Sequence, residues 1–175
     1  MCAEKMNLDH IKRQKSHTIS LLVANKPGVL LRITLVFARR GFNIESLVVS
    51  PALDGSFSRM TIMAKGDRNT LEQIIKQVGK LVDVVSSCEH LDENAVEYEL
   101  ALIKVKVNKS RRSDLMLTVD HFKAETVDIT QDFVIVQITS SSEKLDTFIE
   151  MMSEFEMVEC VRTGKVLMVC GEDIT

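Results

Sequence analysis

An α+β fold made of two consecutive βαββαβ units is what this 175-residue sequence predicts. Apolar spacing over residues 18–89 runs strand, helix, strand, strand, helix, strand. The same order recurs from residue 98. Between the two lies the acidic break Leu91-Asp92-Glu93-Asn94. This organisation assigns residues 1–16 to a tail, 17–90 to a first unit, 91–97 to a linker and 98–175 to a second unit, each unit ferredoxin-like in order.

The first strand, residues 18–24, is apolar on both faces: Ile19, Leu21 and Val23 on one, Leu22 and Ala24 on the other. Residues 28–40 carry Val29, Ile33, Val36 and Phe37 at helical spacing, and Gly41 ends that helix. Residues 43–50 and 57–64 are strands joined by Pro51-Ala52-Leu53-Asp54-Gly55-Ser56, a hairpin loop by its Pro and Asp-Gly. Asp67 or Asn69 caps a second helix whose apolar side is Leu71, Ile74, Ile75 and Val78; residues 81–88 close the unit. In the second unit the strands are 98–107, 125–129, 133–139 and 155–162. The helices there are 111–123 and 142–153, the latter opened by Ser142 with Leu145, Phe148, Ile149 and Met152 at core spacing. Units this small bury little surface, and a βαββαβ unit covers only one face of its sheet with helices. Pairing of two chains about a twofold axis is the simplest cover for the other face, so a homodimer is expected.

Composition removes several functions. A net charge of −3 and a single Tyr with no Trp give neither a basic footprint nor stacking platforms for nucleic acid. No apolar run approaches the ~18 residues that span a bilayer, and the charged first fifteen residues have no signal-peptide core, so a cytoplasmic chain is expected. Cys2, Cys88, Cys160 and Cys170 stand singly, without zinc spacing; Cys88 and Cys160, at strand ends, are expected to be buried thiols. His10, His17, His90 and His121 do not pair at ligand spacing and are expected at the surface. Ser140-Ser141-Ser142 is a loop and helix cap, not a nucleophile elbow, and phosphate-binding glycine loops are absent. An RNA-recognition module shares the βαββαβ order, but residues 57–63 carry one aromatic at the edge of the strand, too little for base stacking. The sequence therefore shows no catalytic residues and no metal ligands.

The pattern Asn25-Lys26-Pro27-Gly28 stands where the first strand turns into the first helix. A helix N-terminus offers unpaired amides, here through Gly28, Val29 and Leu30, and these suit the carboxylate of a small molecule. Gly28 lets a ligand approach the backbone. Side-chain oxygens of Asn25 and Asn43 can accept from an ammonium, and Leu30, Ile44 and Val48 suit a branched hydrocarbon. The same four residues equally satisfy a plain strand-to-helix turn with Pro at its first position. The residues alone leave both readings open.

The block Arg40-Gly41-Phe42-Asn43-Ile44-Glu45-Ser46-Leu47, with residues 17–30, 58–62, 80–84, 99–105, 127–130 and Val161-Arg162-Thr163-Gly164, resembles the small, regulatory subunit of acetolactate synthase (acetohydroxyacid synthase). The resemblance spans roughly residues 17–171. It implies an N-terminal ACT domain that binds effector and dimerises, and a second ferredoxin-like domain for assembly and activation. It also implies a catalytic partner subunit carrying thiamine diphosphate, FAD and Mg²⁺, none of them in this chain. Feedback inhibition by a branched-chain amino acid follows, valine first, with leucine or isoleucine as competitors. Carried over by position, the effector-contacting residues are Asn25, Gly28, Val29, Leu30, Asn43 and Ile44, in a pocket formed where two ACT domains meet. Val48 and Ser50 stand where relatives often have Thr and Ala, which changes polarity near the effector. The alternative is a stand-alone amino-acid-sensing dimer of ACT type acting on another partner.

Overall fold

The computed structural model describes residues 16–90 and 95–171; the N-terminal tail, with Cys2 and His10, and residues 91–94 of the expected linker lie outside the described residues. The first unit runs β1 (Ser16–Ala24), α1 (Val29–Arg39), β2 (Asn43–Pro51), β3 (Phe57–Lys65), α2 (Arg68–Val78) and β4 (Val84–His90). Its antiparallel sheet has the order β2-β3-β1-β4. The second runs β5 (Ala95–Lys106), α3 (Arg112–Phe122), β6 (Glu125–Ile129), β7 (Phe133–Ser140), α4 (Ser142–Met152), β8 (Glu156–Arg162) and β9 (Val166–Val169). Its sheet has the order β6-β7-β5-β8, and β9 pairs with the N-terminal end of β5. The α+β class and the doubled βαββαβ order expected from the sequence are present.

Each unit has its own core. Val29, Ile33 and Phe37 of α1 and Leu71, Ile74 and Val78 of α2 pack on Ile19, Leu21, Val23, Met60, Ile62 and Ala64. In the second unit, Leu115, Val119, Phe122, Leu145, Phe148 and Met152 cover Ala101, Ile103, Val105, Val134, Val136 and Ile138. Each of the Val, Leu, Ile, Phe and Met side chains among them contributes about 1.5–3 kcal/mol of burial. Gly41, at φ +70°, ends α1, and the Phe42 amide donates back to the Phe37 carbonyl (3.1 Å). Of the two residues proposed to cap α2, Asp67 does so, accepting from the Thr70 amide at 2.9 Å. The hydrogen bonds from Thr70 hold the Asp67 carboxyl below the ordinary carboxylate range. No described helix is long and apolar enough to cross a membrane.

The structure corrects several expectations. Residues 81–83 belong to a turn, in which the Val84 amide donates to the Leu81 carbonyl, so β4 starts later than the apolar run suggested. Residues 95–97, read as linker, begin β5. Cys88 and Cys160 are exposed, not buried, because the last strand of each unit lies at the edge of its sheet. His17 is buried, not superficial: its Nδ1 meets Glu89 Oε1 at 2.8 Å across β1 and β4. His90 is half-buried against Ser20 Oγ, whereas His121 is exposed as expected. The helix-free face of the first sheet, carrying Thr18, Ser20 and Leu22, is covered partly from within the chain. Gly164 rests on Ser46 and Val48, and Met168, Val169 and Gly171 share a cleft with Leu22, Phe57 and Arg59.

Candidate functional site

The turn into α1 is built to leave amides free. The Asn25 amide donates to the Ser56 carbonyl (2.9 Å) and the Lys26 amide to the Ala24 carbonyl (2.9 Å), so the chain leaves β1 in a fixed direction. Gly28 then takes φ +84°, which a residue with a Cβ resists. The Arg32 amide reaches the Gly28 carbonyl (3.1 Å) and the Val29 amide makes only a long contact with the Lys26 carbonyl (3.4 Å). Among the described residues the amides of Gly28, Leu30 and Leu31 find no acceptor. No capping side chain and no acidic residue occupies the first turn of α1. The other helices are served differently: Asp67 caps α2, Asn108 Oδ1 accepts from the Arg111 amide at the start of α3 (3.1 Å), and Glu143 lies in the first turn of α4.

Arg32 adds charge to this corner. Its Nη2 bonds Asp83 Oδ2 at 2.6 Å, and its Nη1 lies 3.5 Å from where a Cβ on Gly28 would stand. An arriving carboxylate would thus meet three free amides and a guanidinium. Asn25 is anchored through Nδ2 to the Gly55 carbonyl (3.0 Å), an assignment that leaves Oδ1 to accept. Leu30 is 41% exposed beside the amides, whereas the Val29 side chain is committed to the core and its amide already faces the Lys26 carbonyl.

Asn43 and Ile44 are not at this corner. Register places Asn43 opposite Lys65 and Ser16 opposite the same Lys65, whereas Ala24 aligns with Phe57 at the other end of the sheet. Eight strand steps of about 3.3 Å put these two ends about 26 Å apart. A bulge between Ile44 and Ser46 shifts the alternation, so Ile44 packs on the core with Leu47. Val48 and Ser50 sit opposite Thr61 and Arg59 on the helix-free face. Arg32 and the Leu31 amide escaped the sequence reading; the absence of acid from the first turn was the signal that could have raised them.

A second polar cluster lies where the two units meet. Glu99 is buried and accepts from Arg162 Nε (3.0 Å), Arg162 Nη2 (2.6 Å) and Ser142 Oγ (2.6 Å), and Arg162 Nη1 donates to Asp146 Oδ1 (2.6 Å). Burial works against the Arg162 charge, but the hydrogen bonds to Asp146 and Glu99 outweigh it and hold the guanidinium above its ordinary value. The adjoining cleft, about 440 Å³, also takes in Glu45, Ser46, Lys65 and Gly164. Partial desolvation pushes the Cys160 thiol up against the opposing pull of Arg162. Among the described residues no group of three or more His, Cys, Asp or Glu side chains is placed to hold a metal ion.

Residues 19–86 match the ACT domain of AHAS small subunits, and residues 98–171 match the small subunit of acetolactate synthase. A probable acetolactate synthase small subunit of Archaeoglobus fulgidus is 43% identical over 155 residues, spanning 89% of this chain and 97% of the relative. An acetolactate synthase small subunit of Mycobacterium bovis is 40% identical over 157 residues, 90% of this chain and 94% of its own length. The crystal structure of the acetolactate synthase small subunit of Thermotoga maritima superposes with a TM-score of 0.81 at 39% identity, covering 91% of this chain and 99% of that one.

Proposed function

The chain belongs to the small-subunit family of acetolactate synthase, a regulatory and not a catalytic subunit, and on that premise we propose that it binds the catalytic subunit, raises its turnover and makes it sensitive to a branched-chain amino acid. The single observation that carries the sensing role is the uncapped start of α1, with its unpaired amides at Gly28, Leu30 and Leu31 beside Arg32. The effector carboxylate docks there, its ammonium is accepted by Asn25 Oδ1, and its branched side chain lies along Leu30. Valine is the first choice, with leucine and isoleucine as competitors.

The separation of Asn43 and Ile44 from Gly28 supports a homodimer. β2 is an edge strand, and pairing it antiparallel with β2 of a second copy reverses its direction. The Asn43 end of one chain then meets the Gly28 end of the other, and each pocket draws on both chains. Ile44 shapes that pocket by fixing the start of β2 to the core. Val48 and Ser50 bear on it through the position of the strand. In this reading the chain works in the cytoplasm, and thiamine diphosphate, FAD and Mg²⁺ belong to the catalytic partner.

Inhibition requires that the effector bind more tightly to a conformation that supports the less active complex. The test is to mix the purified chain with an acetolactate synthase catalytic subunit and measure turnover with and without valine. Activation by the chain and inhibition by valine are expected. Unchanged turnover on adding the chain would overturn the reading.

A further inference from the structure

The motif Val161-Arg162-Thr163-Gly164 is part of the family resemblance, yet effector binding does not use it. In the fold it forms the turn that leaves β8 and lands on β2 of the other unit. Gly164, at φ +87°, lies so close that a Cβ there would stand 2.6 Å from Cβ and Oγ of Ser46 and 3.6 Å from Cγ2 of Val48. Ser46 Oγ is buried without a hydrogen-bond partner in this contact. The Gly164 backbone therefore rests on the short Ser46 side chain, which has a single rotatable bond with which to absorb a displacement.

Both sides of the contact are stiffly held. On the second unit, the Thr163 amide donates to the Leu100 carbonyl (3.0 Å) and Thr163 Oγ1 accepts from the Leu100 amide (3.2 Å). Arg162 ties the turn to Glu99 in β5 and to Asp146 in α4, and Lys165 pairs with Glu97. On the first unit, Ser46 follows directly on the bulge, two residues beyond Ile44. A shift of β2 at Asn43 and Ile44 thus reaches Ser46 within one strand turn.

We propose that the Ser46–Gly164 contact is the relay by which effector bound at the start of α1 of one chain, against the start of β2 of a second copy, acts on that copy's second unit and, through it, on the catalytic subunit. This rests on the effector site proposed above. The test uses the chain reconstituted with a catalytic subunit, reading valine binding by calorimetry and inhibition by turnover. Gly164→Ala overfills the contact, and binding is expected within about threefold of wild type while the inhibition reached at saturating valine falls at least tenfold or disappears. Ser46→Gly alone opens the contact and also weakens inhibition with binding kept, which keeps the test available if Gly164→Ala fails to fold. The double variant restores complementary size and with it most of the inhibition.

Gly171→Ala is the control for backbone strain, because Gly171 has φ +86° but nothing within 4 Å of its Cβ position. It should respond to valine as wild type does. Wild-type inhibition in Gly164→Ala or Ser46→Gly, no restoration in the double variant, or equal loss in Gly171→Ala would overturn the relay while leaving the effector site standing. A wild-type chain that fails to bind valine would overturn both.

Discussion

Replacing Arg162 by methionine should destabilise the second unit far more than its position at the edge of a sheet suggests. Glu99 is 3% exposed, and its carboxylate has three donors: two from Arg162 and one from Ser142. The variant strips away two of them and strands a buried charge. Breaking a buried pair from one side costs about 3–5 kcal/mol, and because a third of the Arg162 side chain is open to water the expected loss here is about 2–3 kcal/mol. For a unit of this size, with roughly 4–8 °C per kcal/mol, the midpoint should fall by roughly 10–20 °C. The single tyrosine, Tyr98, lies beside Glu99 in β5, so its fluorescence follows the second unit selectively during urea or thermal unfolding. Glu99→Gln should cost less, since Arg162 keeps Asp146 and solvent, and Glu99→Gln/Arg162→Met should be more stable than Arg162→Met alone. A loss below about 0.5 kcal/mol for Arg162→Met, or strict additivity in the double variant, would refute a stabilising buried pair.

Gly66→Ala should lower stability by about 1–3 kcal/mol in chemical denaturation, because its Cβ would stand 2.1 Å from the buried Phe42 ring. Lys123 is the one described non-glycine residue at positive φ (+57°), standing where the first unit has Gly41 at the end of its first helix; Lys123→Gly should gain about 0.5–1 kcal/mol, read from the same curves. Burial lowers the His90 pKa, with Glu97 opposing. The unfolded chain then binds the proton more readily, so this contribution is present above the ordinary histidine value of about 6.5 and is lost as pH falls below it. Wild type should therefore lose more stability than His90→Gln between neutral and mildly acidic pH; parallel curves would contradict this. Gly28→Asp places an L-residue at φ +84° and a carboxylate among the free amides, and should abolish valine inhibition while gel filtration still shows the complex with the catalytic subunit.

Local physics was legible in the sequence where it was sufficient. Helical spacing at Val29, Ile33 and Phe37, the stop at Gly41 and the cap at Asp67 each follow from residues within one or two turns of one another. The free start of α1 was visible in part: the sequence pointed to the Gly28, Val29 and Leu30 amides, whereas the fold gives the Val29 amide a long contact with the Lys26 carbonyl and leaves that of Leu31 free. What escaped depends on partners distant in the chain. β9 is only four apolar residues, and its meaning comes from pairing with Ala95–Tyr98. His17 is buried because Glu89, on another strand, accepts from it. Ile44 turns to the core because of a bulge that alternation alone does not announce. The same holds for the seam: nothing near Gly164 in sequence says that Ser46 lies against it.

The most direct measurement is a crystal structure of the chain grown with valine. The carboxylate is expected within hydrogen-bond distance of the Gly28, Leu30 and Leu31 amides, with Asn25 facing the ammonium and Asn43 supplied by a second copy paired along β2. Valine bound elsewhere, or that corner filled by the protein's own side chains, would contradict this site.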